Sequence, residues 1–163
     1  MNITIDPFDK KSIDTAVKTL GKYKKDFLKK ETEFIRRLKE LGVSVASVGF
    51  ATADYDGMND VLIAETQNGN RAAVIAYGET VGFIEFGTGV RYPEWDSSSA
   101  DYTPPKHGTY GDGKGANPKG WWFSTSPGSS RHTYGNPPAE AMLTARNSMV
   151  EQIITIAREV WHD

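Results

Sequence analysis

The residues most suited to phosphate chemistry lie in a glycine-rich stretch. The segment GTYGDGK, Gly108 to Lys114, matches the first seven positions of a phosphate-binding loop. The eighth position, where a Ser or Thr hydroxyl should bind magnesium, is Gly115. The flanking segments TPPKH and ANPKG predict neither the buried strand nor the helix that such a loop requires. The stretch is therefore interpreted as a flexible linker, and we expect no nucleotide and no other cofactor.

Histidines and carboxylates offer the other route to catalysis or metal binding. The three histidines are His107, His132 and His162, and none belongs to an HExxH or His-x-His pattern. A loose metal site around His107 and His132 stays open, although solvated loop histidines are more common. No G-x-S-x-G elbow positions a serine for a catalytic triad. Glu85, set among apolar residues, fits a general acid or a solvent-facing strand position. We predict that the protein is not an enzyme and holds no metal.

The segment FIEFGTGVRYP, Phe83 to Pro93, is an apolar strand pattern that runs directly into two glycines. A strand would place Phe83 and Glu85 on one side and Ile84 and Phe86 on the other. The glycines that flank Thr88 allow a sharp turn or a close approach to another surface. We predict that this turn is an interface, and its residues are Glu85, Phe86, Gly87, Thr88 and Gly89.

The adjacent residues Trp121, Trp122 and Phe123 place large aromatic rings on both faces of an extended segment. One face can be buried on a sheet while the other remains for a partner. Aromatic side chains contribute strongly to the binding energy of interfaces. We therefore predict an interface anchor at Trp121 or Trp122.

Charge is distributed unevenly along the chain. Residues 10–41 hold eleven Lys or Arg and five acids, a net charge of +6, whereas the remainder carries −8. Such a basic helix can pair with the acidic body of a neighbouring copy or can face nucleic acid, and the pattern leaves both open. Its cations are spread around the helix with no stacking aromatic residue between them. The predicted basic face comprises Lys18, Lys22, Lys24, Lys25, Lys29, Lys30, Arg36 and Arg37.

Composition and length indicate how many domains to expect and in which compartment the protein works. The chain has 163 residues, of which 38% are hydrophobic and 11% aromatic, so we expect a single domain over residues 1–163 with a real core. There is no cysteine, which suits a reducing compartment. We identify no apolar leader or membrane-spanning window, so we expect a soluble protein with no membrane partner.

The periodicity predicts an α+β fold with an antiparallel sheet of about four to five strands, flanked by a long N-terminal and a C-terminal helix. The first helix spans about residues 12–41, capped by Ser12 and ended by Gly42. Strands at 43–52, 60–66 and 71–77, and one ending at Phe86, form a meander, with a hairpin turn at residues 67–70. A flexible loop covers about 91–120, a short strand 121–124 and a flexible piece 126–131, and Asn136 caps the last helix.

These motifs, in this order, resemble the gene-product-ten-like putative tail-component family of long-tailed phages and prophages. Residues 85–89 match the family's E-F-G-T-G turn, and Trp122 matches its usual loop-end aromatic residue. Pro138, Ala139 and Met142 match the start of its last helix, although Ala141 stands where the family usually has Pro-Phe. The resemblance implies a small α+β subunit at the head–tail junction, a neck or tail-completion protein with no catalytic residue.

The resemblance and the charge pattern together predict a ring built from copies of this chain. We expect it in the virion, and in the host cytoplasm before assembly, with head-completion, connector or tail proteins as partners and DNA in the channel as a further contact. A nucleic-acid-binding accessory protein acting through the basic helix is the alternative. A small hydrolase that uses His107 or His132 is a third, less favoured class.

Overall fold

The structure is a computed structural model that describes residues 3–89, 117 and 119–162. It combines three helices with two separate antiparallel sheets of two strands each, within those residues. The elements, in chain order, are α1 (Lys10–Ala51), β1 (Leu62–Asn68), β2 (Arg71–Tyr77), α2 (Val81–Phe86), β3 (Trp121–Ser126), β4 (Ser129–Thr133) and α3 (Ala141–His162). The expected mixture of helix and sheet and the long terminal helices are present. A single sheet of four to five strands is not.

Helix α1 is 42 residues long, which corresponds to roughly 63 Å. Its N-cap is Asp9, whose carboxylate accepts a hydrogen bond from the Lys11 N–H at 2.9 Å. The prediction of Ser12 as the cap was wrong, since the Ser12 hydroxyl accepts a hydrogen bond from the Asp6 N–H instead. The N-terminal segment therefore turns back onto the first turn of the helix.

The helix continues through Gly42 to Ala51, so both the predicted stop at Gly42 and the predicted strand over 43–52 were wrong. The reason lies in the packing of α3. A Cβ atom on Gly42 would lie 2.7 Å from the Met149 sulfur, and one on Gly49 would lie 2.7 Å from the Ala141 Cβ. Together with the fully buried Ala46, these small residues let the two helices approach closely. The free energy gained from this helix packing outweighs the preference of residues 43–52 for a β-strand, which is worth less than about 1 kcal/mol per residue.

The hairpin of β1 and β2 is confirmed, with Asn68 paired to Arg71 and Leu62 paired to Tyr77. Gly69, in the turn, has φ 59°, the left-handed conformation that the Asn-Gly pair predicts. One side of the hairpin lies on α1, where Lys39 forms an ion pair with Glu65 at 2.8 Å. The hairpin and α3 thus both pack on the C-terminal half of α1.

The predicted strand ending at Phe86 was wrong, because residues 81–86 form the short helix α2. Asp60 fixes the turn before it by accepting hydrogen bonds from the N–H groups of Glu79 and Thr80 at 2.8 and 2.9 Å. The Thr80 hydroxyl also donates to Asp60, and this bond is the main cause that lowers the pKa of the Asp60 carboxyl. Since α2 breaks the chain of strands, the predicted meander does not form.

The core lies where α1, α2 and the start of α3 meet. Phe50, Ile84 and Ala141 form its buried centre, and partly buried side chains from the hairpin and α2 pack around them. The predicted strand at 121–124 is confirmed as part of β3, whereas residues 126–131, expected to be flexible, turn into β4. Helix α3 begins at Ala141 and not at the predicted cap Asn136. Most of the predicted loop over 91–120 lies outside the described residues.

Candidate interaction surface

Two of the motifs that carry the resemblance contact each other in the fold. Thr88 and Asn136 form an antiparallel bridge, with N···O distances of 2.9 and 3.0 Å between their main chains. The Asn136 amide nitrogen donates to the Phe83 carbonyl at 3.0 Å, and its amide oxygen accepts from the Thr88 hydroxyl. We call residues 84–89 together with residues 135–143 the clasp.

The glycines of the clasp are required by close approach of two main chains. A Cβ atom on Gly89 would lie 2.2 Å from the Tyr134 carbonyl oxygen, and one on Gly135 would lie 1.9 Å from that of Thr88. Both glycines also have positive φ, at 85° and 99°, a conformation that costs other residues energy. The Gly-Thr-Gly and Tyr-Gly-Asn segments are therefore two halves of one tertiary contact.

Glu85 closes the clasp by capping α3. Its carboxylate accepts hydrogen bonds from the N–H of Met142 at 3.0 and 3.1 Å and from that of Leu143 at 3.2 Å. These donors belong to the first turn of a helix, which has no partners for them within the helix itself. A negative charge at this end also complements the helix dipole. Glu85 thus acts as an N-cap supplied from a segment 57 residues away along the chain.

Burial in the clasp corrects the sequence interpretation of the turn as an exposed surface. Glu85 is only 2% exposed, Gly87, Thr88 and Gly89 are also buried, and Phe86 is half-buried. Of the two alternatives left open for Glu85, a general acid or a solvent-facing strand position, the second is wrong, because the residue is buried in a helix. The turn contacts the chain's own residues 134–143, so it offers little surface to another copy in this conformation. Its contact with neighbouring subunits stays a prediction.

The tryptophans lie on β3 as the alternation of a strand requires. Trp121 and Phe123 are half-buried, whereas Trp122 is 65% exposed. The Trp122 ring meets His132 edge-on at 5.2 Å, and His132 meets Tyr134 at 4.9 Å. Asp56 anchors this hairpin through an ion pair with Arg131 at 2.9 Å and by accepting from the Thr133 hydroxyl at 3.2 Å. Trp122 therefore has the exposure that an interface anchor needs.

The N-terminal part of α1 extends beyond α3. The rings of Phe27 and Phe34 on α1 pack against Trp161, near the C-terminal end of α3, at 6.3 and 5.2 Å between ring centroids. We call residues 10–26 the arm, which extends about 25 Å past Phe27. Its apolar side chains Ile13, Val17 and Leu20 are 40%, 63% and 51% exposed, although Ala16 is buried. The spacing of these three residues places them on one face of the helix.

The predicted basic face divides into two groups. Arg36 pairs with Glu33 and Glu40, and Arg37 pairs with Glu159. The remaining members form no ion pair with any residue that the structure describes, and they are Lys18, Lys22, Lys24, Lys25, Lys29 and Lys30. Four of these six follow i, i+4, i+7 and i+11 spacing, so they share one side of the helix opposite the apolar residues, and they are Lys18, Lys22, Lys25 and Lys29. Lys24, four residues after Leu20, lies on the side of the apolar residues, so the lysines of the arm are not confined to one side of the helix.

Helix α3 carries an apolar stripe that the sequence analysis missed. Val150 and Ile154, four residues apart on α3, are each 58% exposed, whereas Trp161 is 37% exposed and packs against Phe27 and Phe34 of α1. The signal was present in the sequence, since apolar residues occur on two sides of this helix.

In the described parts of the chain, a metal site would require several ligating side chains close together. No set of three or more His, Asp or Glu residues there could hold a metal ion. One groove of about 210 Å³ lies between α1, β2 and α3, and Lys39 is its sole titratable residue. His107 and the GTYGDGK segment lie outside the described residues. In the same described part, no helix is long and apolar enough to cross a membrane.

Comparison of the chain with protein-family models, with curated proteins and with solved structures finds no match. The functional argument therefore depends on the surfaces described above.

Proposed function

We propose that this chain is a structural virion protein of a phage or prophage. It acts at the head–tail junction as a neck or tail-completion subunit and assembles as an oligomeric ring. Its partners are other copies of itself and neighbouring head-completion, connector or tail proteins. The resemblance of residues 85–89, Trp122 and Pro138 to Met142 supports this family. Two of these motifs, residues 85–89 and Pro138 to Met142, contact each other in the clasp.

The observation that carries the proposal is the arm. The arm exposes the apolar side chains Ile13, Val17 and Leu20, and its opposite side carries lysines that form no ion pair with the described residues. An exposed apolar surface of this kind is typical of a protein–protein interface. The arm holds six lysines and two aspartates, a net charge of +4. Residues 42–89, 117 and 119–162 carry five basic and nine acidic residues, a net charge of −4. Opposite charges on two ends of one chain favour head-to-tail contacts, which close into rings.

The decisive experiment is to count copies of this chain in purified virions or induced prophage particles by quantitative mass spectrometry. A fixed count of about six or twelve per particle is expected, because a closed ring has cyclic symmetry. Absence of the chain from particles would overturn the proposal. A capsid or tube protein quantified in the same sample calibrates the count.

The lysine stripe favours one second candidate, a nucleic-acid-binding accessory protein. Lys18, Lys22 and Lys25 lie on one side of the arm and could follow a phosphate backbone. Such binding weakens steeply with salt, because each neutralised phosphate releases counterions. A shallow salt slope in a DNA-binding assay, or binding that survives replacement of these lysines by glutamate, would remove this candidate.

A further inference from the structure

The hairpin of β1 and β2 has one edge that lies open. Asn68 and Arg71 close its two-residue loop as a hydrogen-bonded pair, and pairs with and without hydrogen bonds then alternate along the strands. The main-chain N–H and C=O groups of Ala72 and Val74 therefore point away from β1. Within the described residues these groups have no hydrogen-bond partner, and β2 pairs with no strand besides β1. An edge of this kind can accept a further strand.

The edge of β1 is guarded, whereas that of β2 is not. On β1 the side chain of Glu65 pairs with Lys39 at 2.8 Å, and that of Gln67 donates to the Thr32 carbonyl at 3.4 Å. Charged and tethered polar side chains discourage the addition of a strand. The β2 edge carries only small apolar side chains at the equivalent positions, and Ala72 is exposed. Strand addition is therefore favoured at β2.

An apolar groove lies at this open edge. Ala72 and Val74 line the groove of about 210 Å³ described above, together with Ile35 and Leu38 of α1 and Met149 of α3. Its volume is below the roughly 300–1,000 Å³ that is usual for small-molecule sites. Aliphatic side chains of a strand added to β2 fit it better. In strand addition, main-chain hydrogen bonds give affinity and pockets for alternate side chains give specificity.

The segment before α1 has the pattern that this site requires. Ile3, Thr4 and Ile5 alternate apolar and polar residues as a half-buried strand does, and all three are β-branched. They belong to no helix, strand or turn, and their main chains form no hydrogen bond with any described residue. The Ile5 side chain is 51% exposed. We call residues 3–6 the donor segment.

The donor segment cannot reach the groove of its own chain. Lys10, where α1 begins, and Leu38, which lines the groove, are about 42 Å apart along the helix. Residues 3–9 span at most about 25 Å even when fully extended. A donor segment that fills the groove therefore comes from a second copy.

One antiparallel register matches the donor segment to both the edge and the groove. It places Ile5 opposite Ala72 and Ile3 opposite Val74, as the hydrogen-bonded pairs. Both isoleucines then share the face of β2 whose side chains line the groove. Thr4 lies on the other face, which is exposed.

Charge favours the same register. Asp6 then lies opposite Arg71, which forms no ion pair with any residue that the structure describes. Opposite charges that face each other across two strands stabilise the pairing. A parallel strand would carry Asp6 toward the other end of β2. The main chain of Asp6 points away from β2 in this register, so its hydrogen bond to the Ser12 hydroxyl is retained.

We infer that the donor segment of one copy adds a strand to β2 of the next copy and places Ile3 and Ile5 in its groove. This rests on the proposed self-assembly and identifies one contact that makes it. Because the donor segment and the groove are different surfaces of the chain, the contact is heterologous and repeats from copy to copy. It also adds a third strand to a two-stranded sheet, which on its own is marginally stable.

A disulfide bond tests the register directly, since the chain has no cysteine of its own. In this register Thr4 and Ala73 form a non-hydrogen-bonded pair with Cα atoms about 4.5 Å apart, within reach of a disulfide. Thr4→Cys protein is mixed with Ala73→Cys protein under mild oxidation, and we expect a disulfide-linked dimer. Thr66→Cys is the matched control for Ala73→Cys. Thr66 pairs with Ala73 and is equally exposed, but it lies one strand farther from the donor segment.

Each other outcome would overturn the inference. A mixture without a linked dimer, or equal linking by Thr66→Cys, shows that the register does not form. A dimer of Ala73→Cys alone that is as abundant as the mixed dimer shows that two β2 edges pair with each other. An equally abundant dimer of Thr4→Cys alone shows that two donor segments pair. A disulfide within one molecule of the double variant shows that the segment reaches its own β2.

A second measurement reports on the groove. Ile5→Asn should weaken self-association, measured by sedimentation velocity, by about tenfold or more, because it removes an aliphatic side chain from apolar surroundings. Thr4→Asn is the matched control, since it changes the side of the donor segment that faces away from the groove, and it should leave association unchanged. Equal effects of the two substitutions would contradict the placement of Ile5.

The inference and the proposed function fail separately. If light scattering shows oligomers of the wild-type chain while Thr4→Cys and Ala73→Cys do not link, self-assembly stands and this contact is wrong. If the disulfide forms but the chain is absent from particles, the contact stands and the role at the head–tail junction is wrong.

Discussion

Thr88 and Asn136, 48 residues apart in the chain, pair as a two-residue antiparallel bridge that is buried on both sides. The main chains exchange two hydrogen bonds, and the side chains exchange a third. The bridge holds the residues after α2 against the residues that lead into α3. Because Glu85 also caps α3, the position of this helix on α1 depends on the clasp.

Asn136→Ala should destabilise the protein by about 1–3 kcal/mol, because it removes the buried hydrogen bonds that the Asn136 side chain forms with the Thr88 hydroxyl and the Phe83 carbonyl. Urea denaturation followed by circular dichroism measures the change in the free energy of unfolding. Asn147→Ala is the matched control, since Asn147 is exposed on α3 and should change stability by less than about 0.5 kcal/mol. Equal effects at both positions would contradict the role assigned to the bridge.

The three glycines of α1 should respond to alanine in different directions. Gly21 has no atom within 4 Å of an added Cβ, so Gly21→Ala should stabilise by up to about 1 kcal/mol. Gly49→Ala should destabilise by about 1–3 kcal/mol, because the Ala141 main chain lies 3.0 Å from the new atom. Gly42→Ala should fall between them, since the flexible Met149 side chain can move. Thermal unfolding of the three variants ranks them, and a stabilising Gly49→Ala would disprove close packing of α1 on α3.

Glu140 should make stability depend on pH. Burial, followed by the charge of Glu85 nearby, raises the pKa of the Glu140 carboxyl. A raised folded-state pKa means that the folded protein retains a proton that the unfolded chain releases, so stability falls as the pH rises through this window. Glu140→Gln should therefore be more stable than wild type at neutral pH, and the difference should disappear where Glu140 is protonated.

Unfolding of the two proteins between pH 4 and pH 7 tests this sign. Glu151→Gln, which removes an exposed charge elsewhere on α3, controls for a general change in net charge. A difference between Glu140→Gln and wild type that grows as the pH falls would contradict the prediction. Glu140 also has φ 51°, so Glu140→Gly should be more stable than Glu140→Gln at every pH, because it relieves backbone strain in addition to removing the carboxyl.

The charge of the arm should control self-association. Lys18, Lys22 and Lys25 replaced together by glutamate should weaken oligomers at low salt, and wild-type oligomers should weaken as salt rises past about 0.5 M. The control reverses three charges on the body, at Arg71, Lys119 and Arg158, and should leave association intact or strengthen it. Sedimentation velocity at several salt concentrations measures both. If the fraction of oligomer changes neither with salt nor on replacement of the arm lysines, electrostatic attraction does not drive association.

The sequence alone was sufficient where a local pattern decides the structure. Asn68 and Gly69 predicted the first hairpin correctly, because the turn needs a positive φ that few residues adopt. The apolar periodicity predicted a C-terminal helix, and the alternation of a strand predicted large rings on both faces of residues 121–123, although it left open whether Trp121 or Trp122 is the exposed one. The excess of lysine in the N-terminal helix was equally visible, since charge does not depend on packing.

Tertiary contacts decided the rest. Apolar and polar residues alternate over 43–50 as in a strand, yet this segment is helical. Gly42, Ala46 and Gly49 allow α3 to pack closely on α1, and no local pattern shows the free energy gained from that contact. Glu85 and Thr88 were interpreted as surface residues, yet they are buried against Met142 and Asn136. Local sequence patterns could not show this, because these partners lie about fifty residues away along the chain. The exposure of Ile13, Val17 and Leu20 is likewise a tertiary property, because the apolar periodicity of α1 does not show which of its residues another element covers.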